Sequence, residues 1–313
     1  RTGNGDGDGD EHVVVRASRA TVQGNCAVNR KDPSLVVALK RVQIDDEEEM
    51  QFTLRELDLT SHVDSPFIVH FYGNYVFERS VYITMELCDA GSVQDLLDVH
   101  PAGLAEDRIR EVAYAMFSGL AYLHAKKIVH RDIKPANLLL LSDGGVRLAD
   151  FGISRNQGDA TSIRLQTMVG SPFFMAPEMI WHQQTQEGYT EKVDIWAGGI
   201  TLLCMAHGKP PLYELNPMQA MFYIGTREPP ALKNPKEWSK GFQKLITKSL
   251  IKEPRARASA ADLVKSSWLA DSVTGRIDKD TLRTLDAEPD DFEDWIEESY
   301  RKSSTPATGG GAG

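Results

Sequence analysis

The stretch IVHRDIKPANLLL, Ile128–Leu140, constrains this chain more than any other. Between two apolar runs it sets His130, Arg131, Asp132, Lys134 and Asn137, and LADFGIS follows with Asp150, Phe151 and Gly152. A His-Arg-Asp with Asn five residues beyond the Asp arises by chance in a chain this long at a rate of about a few in a thousand, and a lone Asp-Phe-Gly at about a few per cent. VALK, ending at Lys40, precedes them and FMAPE, ending at Glu178, follows. Four such motifs in this order are not a coincidence.

The hydrophobic pattern divides the chain between the first pair of motifs. From Val13 to Tyr82 it reads as short strands: EHVVVRA, CAVNR, LVVALKRV, IVHFYGNYV and VYITMEL. One helix interrupts them, from about Asp46 to His62, and its acidic start DDEEE suits the positive end of a helix dipole. After Leu87 the spacing of apolar residues turns helical, in SVQDLLDVH, AEDRIREVAYAMFSGLAYLHAKK, VDIWAGGITLLCMAHG, PMQAMFYI, GFQKLITKSL and SAADLVKSSWL. A small strand-rich part followed by a larger helical one is an α+β arrangement joined at ELCDAGS. Residues 1–12 read as a Gly/Asp linker, and past Ala270 the periodicity fades, so 270–313 reads as an acidic and then Gly/Ser/Thr-rich tail.

The motif set resembles that of the eukaryotic protein kinases over roughly Val13–Leu269. The resemblance implies a bilobal fold with a small β-rich N-lobe carrying one regulatory helix (13–85), a hinge (86–88) and a mainly helical C-lobe (89–269). It implies ATP and Mg2+ as cofactors and transfer of the γ-phosphate to a protein hydroxyl. Asp132 would accept or orient the hydroxyl proton, Lys134 would offset charge on the γ-phosphate, and Asn137 and Asp150 would supply oxygen ligands to magnesium. Lys40 would hold the α- and β-phosphates with Glu56 as its ion-pair partner. Met85 would gate the adenine pocket, and the backbone of Glu86 and Cys88 would bond the adenine edge. Arg131 marks the type activated by activation-loop phosphorylation, with Thr167 at the phosphorylated position; a phosphate there could pair with Arg131 and Arg155. Phe151 belongs to the Asp-Phe-Gly motif. Glu178 and Arg257 would form a buried ion pair, and Asp194 would brace the catalytic loop.

Lys134 after the aspartate is similar to serine/threonine kinases. DSPFIVHFYGNY, MELCDAGSVQDLL and MVGSPFFMAPEMI resemble the sterile-20-like family and, within it, the Hippo-type germinal-centre branch, whose members act on other kinases. Four positions depart from the pattern. Where the family carries three glycines over the phosphates, a gapless alignment places Ser18, Ala20 and Gln23; a one-residue gap makes Gly24 the third glycine and Cys26 the apolar residue over adenine. Glycine lets backbone amides close on phosphate, so either alignment predicts weakened ATP binding. Thr60 and Gly198 stand where apolar residues are expected, and the link before Asp194 is longer than usual. The alternative is therefore a pseudokinase that binds or scaffolds.

Charge and composition exclude other classes. The net charge of −10 leaves no basic surplus for nucleic acid. The apolar runs are too short for a membrane span. Cys26, Cys88 and Cys204 show neither zinc nor disulfide spacing, which favours a reducing, cytoplasmic compartment. Asp286–Glu298 holds eight acids and no base, with Phe292, Trp295, Ile296 and Tyr300 at helical spacing. Beside a solvated tail, that pattern allows a docking or autoinhibitory helix through which an activator or adaptor would bind.

Overall fold

The computed structural model describes residues 14–17, 25–28, 36–150, 172–181, 190–270 and 273–285. They divide into two compact units. One takes the described residues up to Asp45 together with Tyr72–Leu87; the other takes Asp46–Phe71 and Cys88–Leu285. The division between Leu87 and Cys88 falls inside the stretch read as a hinge.

The smaller unit is a five-stranded sheet in the order β1-β2-β3-β5-β4, from β1 (Val14–Ala17), β2 (Asn25–Val28), β3 (Val36–Gln43), β4 (Phe71–Phe77) and β5 (Ser80–Glu86). The pairs β1–β2, β2–β3 and β3–β5 are antiparallel, with Lys40 opposite Ile83 and Ala38 opposite Met85. Alternation fixes the register, because Val37 and Leu39 point into the buried face while Val36 and Ala38 do not. Across the pair, Arg41 donates from Nε to Ser80 Oγ at 3.0 Å. Thr84 ties β5 to β4 by donating to the Gly73 carbonyl at 2.9 Å.

The larger unit begins with α1 (Glu47–Ser61), capped by Asp46, whose Oδ1 accepts from Glu49 N at 2.8 Å. This helix, expected among the strands, groups with the helical unit, and the chain just after it is tied there. The Asp64 amide donates to Tyr122 Oη and Lys126 Nζ to the His62 carbonyl, both at 3.0 Å, and Val63 and Ile68 join the large core. Next come α2 (Val93–Val99), α3 (Glu106–Ala125), the short hairpin β6 (Leu138–Leu140) and β7 (Val146–Leu148), and α4 (Pro177–Trp181). After them lie α5 (Lys192–His207), α6 (Pro217–Thr226), α7 (Lys240–Ser249), α8 (Ala260–Val264), α9 (Ser267–Ala270) and α10 (Lys279–Leu282).

The apolar stripe of α3, Ile109, Val112, Met116, Leu120 and Leu123, is fully buried. Each such side chain contributes about 1.5–3 kcal/mol on leaving water. Against it lies α5, buried on every side from Val193 to Ala206. Its C-terminus is closed by Gly208 at φ 74, where a Cβ would sit 2.0 Å from the Pro101 carbonyl oxygen. Two departures from the sequence reading occur at the end of the domain. SAADLVKSSWL, read as one helix, is two, because α8 stops at Lys265 and α9 restarts at Ser267. Residues 273–285, assigned by fading periodicity to the tail, pack on the large unit with Ile277 and Leu282 in its core.

Gly198 also has a physical explanation. A Cβ there would lie 3.0 Å from Phe117 Cε1, so the phenyl ring of α3 fills the space that an apolar side chain on α5 would otherwise take. At Gly199 the approach is closer, 2.7 Å from Leu250 Cδ2. Gly199→Ala is expected to lower stability by about 1–3 kcal/mol through overpacking, although alanine is the better helix former by about 1 kcal/mol. Urea unfolding checks this, and an unchanged midpoint would show that Leu250 can retreat freely.

Candidate active site

The site is built on the loop between α3 and β6. Helix α3 ends where Lys127 takes φ 64, and the chain turns back with the Ile128 amide donating to the Leu123 carbonyl at 3.0 Å. Arg131 also adopts a left-handed φ, 72, a conformation a non-glycine residue holds only when its surroundings fix it. Asp194, in the first turn of α5, does so. Its Oδ2 accepts from the His130 amide at 2.8 Å and its Oδ1 from the Arg131 amide at 2.7 Å. His124 Nε2 lies 2.7 Å from the same Oδ2. The Asp194 side chain is 0% exposed, so these bonds replace the water it has lost.

His130 is buried beneath the loop. Its Nδ1 accepts from the Asp132 amide at 3.3 Å and its Nε2 donates to the Ala149 carbonyl at 2.9 Å. That pattern suits the neutral ring, and burial lowers its pKa below the ordinary histidine value against the raising influence of Asp194. Asp132 stands above it, half exposed. Lys134 Nζ donates to Asp132 Oδ2 at 2.7 Å, and Asn137 Nδ2 donates to the same oxygen at 2.9 Å and to the Asp132 carbonyl at 2.7 Å. Two donors on Oδ2 leave Oδ1 to accept a proton from outside, and they commit the Asn137 amide so that its Oδ1 can act as an oxygen ligand.

The hairpin brings a second carboxylate to the same end. Leu138 is opposite Leu148, and the Ala149 amide donates to the Asn137 carbonyl at 2.9 Å. Asn137 and Asp150 therefore both lie at the open end of the hairpin, Asp150 exposed and at φ 61. Among the described residues no group of three or more His, Cys, Asp or Glu could hold a metal by itself. One amide and one carboxylate instead match magnesium, which takes few protein ligands and keeps room for phosphate and water.

The remaining predicted residues fall as follows. Lys40 lies on β3 and Met85 and Glu86 end β5, while Cys88 is buried at the start of the larger unit. Glu56 lies on α1 and Cys26 on β2, where its backbone is opposite Ala38; the side chains of both are outside the described residues. Gly24, Phe151, Arg155 and Thr167 lie outside them altogether.

Glu178 and Arg257 form a bidentate pair, Nη1 to Oε1 at 2.6 Å and Nη2 to Oε2 at 3.0 Å. The other donors of Arg257 reach the carbonyls of Ile251 (2.8 Å), Lys192 (2.6 Å) and Lys252 (3.2 Å). All five N–H groups of the buried guanidinium thus have acceptors. Sequence reasoning missed His124 and Lys192, which complete these two clusters. A histidine beside Leu123 in the last turn of α3, next to the buried stripe, was the available signal for the first. Nothing local marks Lys192, whose Nζ donates to the Arg257 carbonyl at 2.5 Å.

The family model for the protein kinase domain matches residues 22–269. The chain belongs to the protein kinase family. It is similar to the serine/threonine-protein kinase hippo of Drosophila melanogaster, 40% identical over 239 residues, which cover 76% of this chain and 35% of that protein. The chain thus spans about a third of the length of this relative.

Two tests follow from the buried groups. Arg257→Ala should cost about 3–5 kcal/mol in urea unfolding, because Glu178 is left buried and unpaired. Arg257→Lys should recover less than half of that, since three donors on a flexible stem cannot serve five fixed acceptors. For His130 the folded pKa is below the unfolded value near 6.5, so below that pH the unfolded state takes up the proton first. Stability should therefore fall as pH drops from about 6.5, by up to about 1.4 kcal/mol per pH unit for this proton. His207, also lowered mainly by burial, adds in the same direction. Thermal melting between pH 7 and 5.5 should show a shallower slope in His130→Phe, whatever its baseline; an equal slope would remove His130 as the source.

Proposed function

We propose that this chain is an active protein serine/threonine kinase that uses ATP and Mg2+ and phosphorylates other kinases in a signalling cascade. The observation that carries the reading is the half-exposed Asp132, with Oδ2 held by Lys134 and Asn137 and the loop beneath it tied to buried Asp194. A group held in this way is pre-organised for proton transfer, and phosphoryl transfer asks the protein chiefly for position and charge. Asp132 Oδ1 takes or orients the proton of the substrate hydroxyl. Lys134 lies near enough to the same carboxylate to neutralise charge on an incoming phosphate. Asn137 and Asp150 would hold magnesium, which would supply positive charge to neutralise the phosphates.

The family resemblance supplies the rest of this reading. Lys40 on β3 holds the α- and β-phosphates with Glu56 as its partner, Met85, Glu86 and Cys88 receive adenine, and Gly24 and Cys26 belong to the loop over the nucleotide. Phosphorylation of Thr167, paired with Arg131, switches the enzyme on. The acidic segment 286–300 is the site for an activator or adaptor. Cys88 and Cys204 are buried and outside any disulfide, in keeping with a reducing, cytoplasmic setting. Among the described residues no helix is long and apolar enough to cross a membrane.

A scaffold without catalysis is the second reading, favoured by the loss of at least two of the three glycines over the phosphates in the stretch from Ser18 to Gly24. The deciding experiment incubates the purified chain with Mg-ATP and a generic protein substrate and locates phosphate by mass spectrometry. Phosphate on serine or threonine is expected, and Asp132→Asn should reduce the rate by about 10²–10⁴-fold with an unchanged melting temperature. No transfer and no thermal shift with Mg-ATP would establish the scaffold instead. Thr167→Ala should be less active than the wild type, and full activity in that variant would sink the proposed switch.

A further inference from the structure

The residues beyond the family match, 273–285, make long-range contacts that local stability alone does not require. Four donors from this segment converge on one oxygen of α3. Thr274 N (2.9 Å), Thr274 Oγ1 (3.1 Å), Gly275 N (2.7 Å) and Arg276 N (3.2 Å) all donate to Glu111 Oε2. Gly275 permits this with φ 71, in a space where a Cβ would lie 2.8 Å from Phe67 Cε1.

From that anchor the segment reaches the turn of the β6–β7 hairpin. Arg276 Nη2 donates to the Asp143 carbonyl at 2.7 Å and lies 2.7 Å from Asp143 Oδ2. The Ile277 amide donates to the Gly144 carbonyl at 2.8 Å, and Gly145 forms an antiparallel bridge with Arg276. Gly144 is required at φ 95, since a Cβ would sit 2.3 Å from the Ile277 carbonyl oxygen. Further along, Asp278 caps α10 through the Thr281 amide at 2.8 Å, and Thr284 Oγ1 meets His100 Nε2 at 3.1 Å. The segment is therefore fixed at both sides of the hairpin turn.

The hairpin itself has three residue pairs, fewer than a hairpin needs to be stable alone. Other strands and loops hold its base through Leu148 N to the Phe67 carbonyl and the strand end next to the turn through Leu140 N to the Gly91 carbonyl, both at 2.9 Å. The turn is held by the Asp89 carboxylate on Ser142 N at 2.8 Å and by the segment. Asn137 immediately precedes β6, and Asp150 follows β7 by two residues. Any tilt or fraying of the hairpin changes the separation of these two oxygen donors.

We propose that residues 273–285 form a clamp that sets the position of Asn137 and Asp150 through the hairpin turn, with Arg276 as its positioning residue and Glu111 as its anchor. The proposal rests on the kinase reading for the role of those two donors in holding magnesium. Its structural half, control of the hairpin, does not.

The test uses the full chain with Arg276→Ala, Arg276→Lys and Glu111→Ala. Arg276 is half exposed, so its replacement is not a core change. Amide exchange over 138–148 should quicken by about tenfold in the two alanine variants while α7 amides are unaffected. The Mg2+ concentration for half-maximal phosphoryl transfer should rise by about tenfold, as for loss of a group that orients metal ligands. KM for the protein substrate should stay the same, and Arg276→Lys should recover part of both effects. Unchanged hairpin exchange would overturn the clamp. Faster exchange with an unchanged Mg2+ requirement would overturn its positioning role. Should the wild type transfer no phosphate, the kinase reading falls, and hairpin exchange alone still decides for or against the clamp.

Discussion

The carboxylate of Asp194 holds together more of this molecule than its size suggests. It is withdrawn from water inside a helix that is itself buried on every side, and an unpaired charge in that position would cost several kcal/mol. Two backbone amides and His124 meet it, so the charge is compensated only if residues 130 and 131 turn toward α5. That requirement explains why Arg131 can sit at φ 72. Once the turn is made, the His130 ring falls where it bonds both the Asp132 amide and the Ala149 carbonyl. The two ends of the chemistry-bearing sequence, residues 132 and 150, are thereby referenced to one buried oxygen pair.

The second buried charge cluster shares the same turn of α5. Arg257 donates to the Lys192 carbonyl, two residues before Asp194, and Lys192 returns a bond to the Arg257 carbonyl. One turn of helix thus anchors the His130–Arg131 loop on one side and the Glu178 segment on the other. The two anchors differ in how charge is balanced. Arg257 has its counter-ion and a full set of acceptors, whereas Asp194 relies on amide dipoles and a histidine. Both achieve the condition under which a buried ion is tolerable, which is that no donor or acceptor is wasted.

What the sequence revealed and what it hid follow from the range of the interactions. The strands, the stripe of α3 and the motif loop were legible because alternation, helical spacing and motif order are local properties. Asp194, Glu178 and Arg257 were legible only through family likeness, since partners 63 to 79 residues apart leave no local trace. The break between α8 and α9 was hidden by continuous helical spacing, although Ser259 and Asp262 form a capping box at the start of α8. The clamp was hidden more thoroughly. Its contacts span 131 to 184 residues, and its own sequence has too few apolar residues to show a period.

Gly198 illustrates how a departure from a family pattern should be weighed. Read along the helix, it is a loss of propensity and of a core side chain. Across the interface, the Phe117 ring of α3 occupies the same volume, with Met116 Cε also in contact range at 3.4 Å. Core volume has been transferred from one helix to its neighbour, and the packing that positions Asp194 is retained at close density. Compensation of this kind requires a neighbour with a side chain to lend, which a buried helix pair has. A phosphate-covering loop works through backbone amides, and no neighbouring side chain can replace the conformational freedom of a lost glycine. The two kinds of departure are therefore not equivalent: the first is offset by a neighbouring side chain and leaves the packing around Asp194 intact, and the second has no such offset.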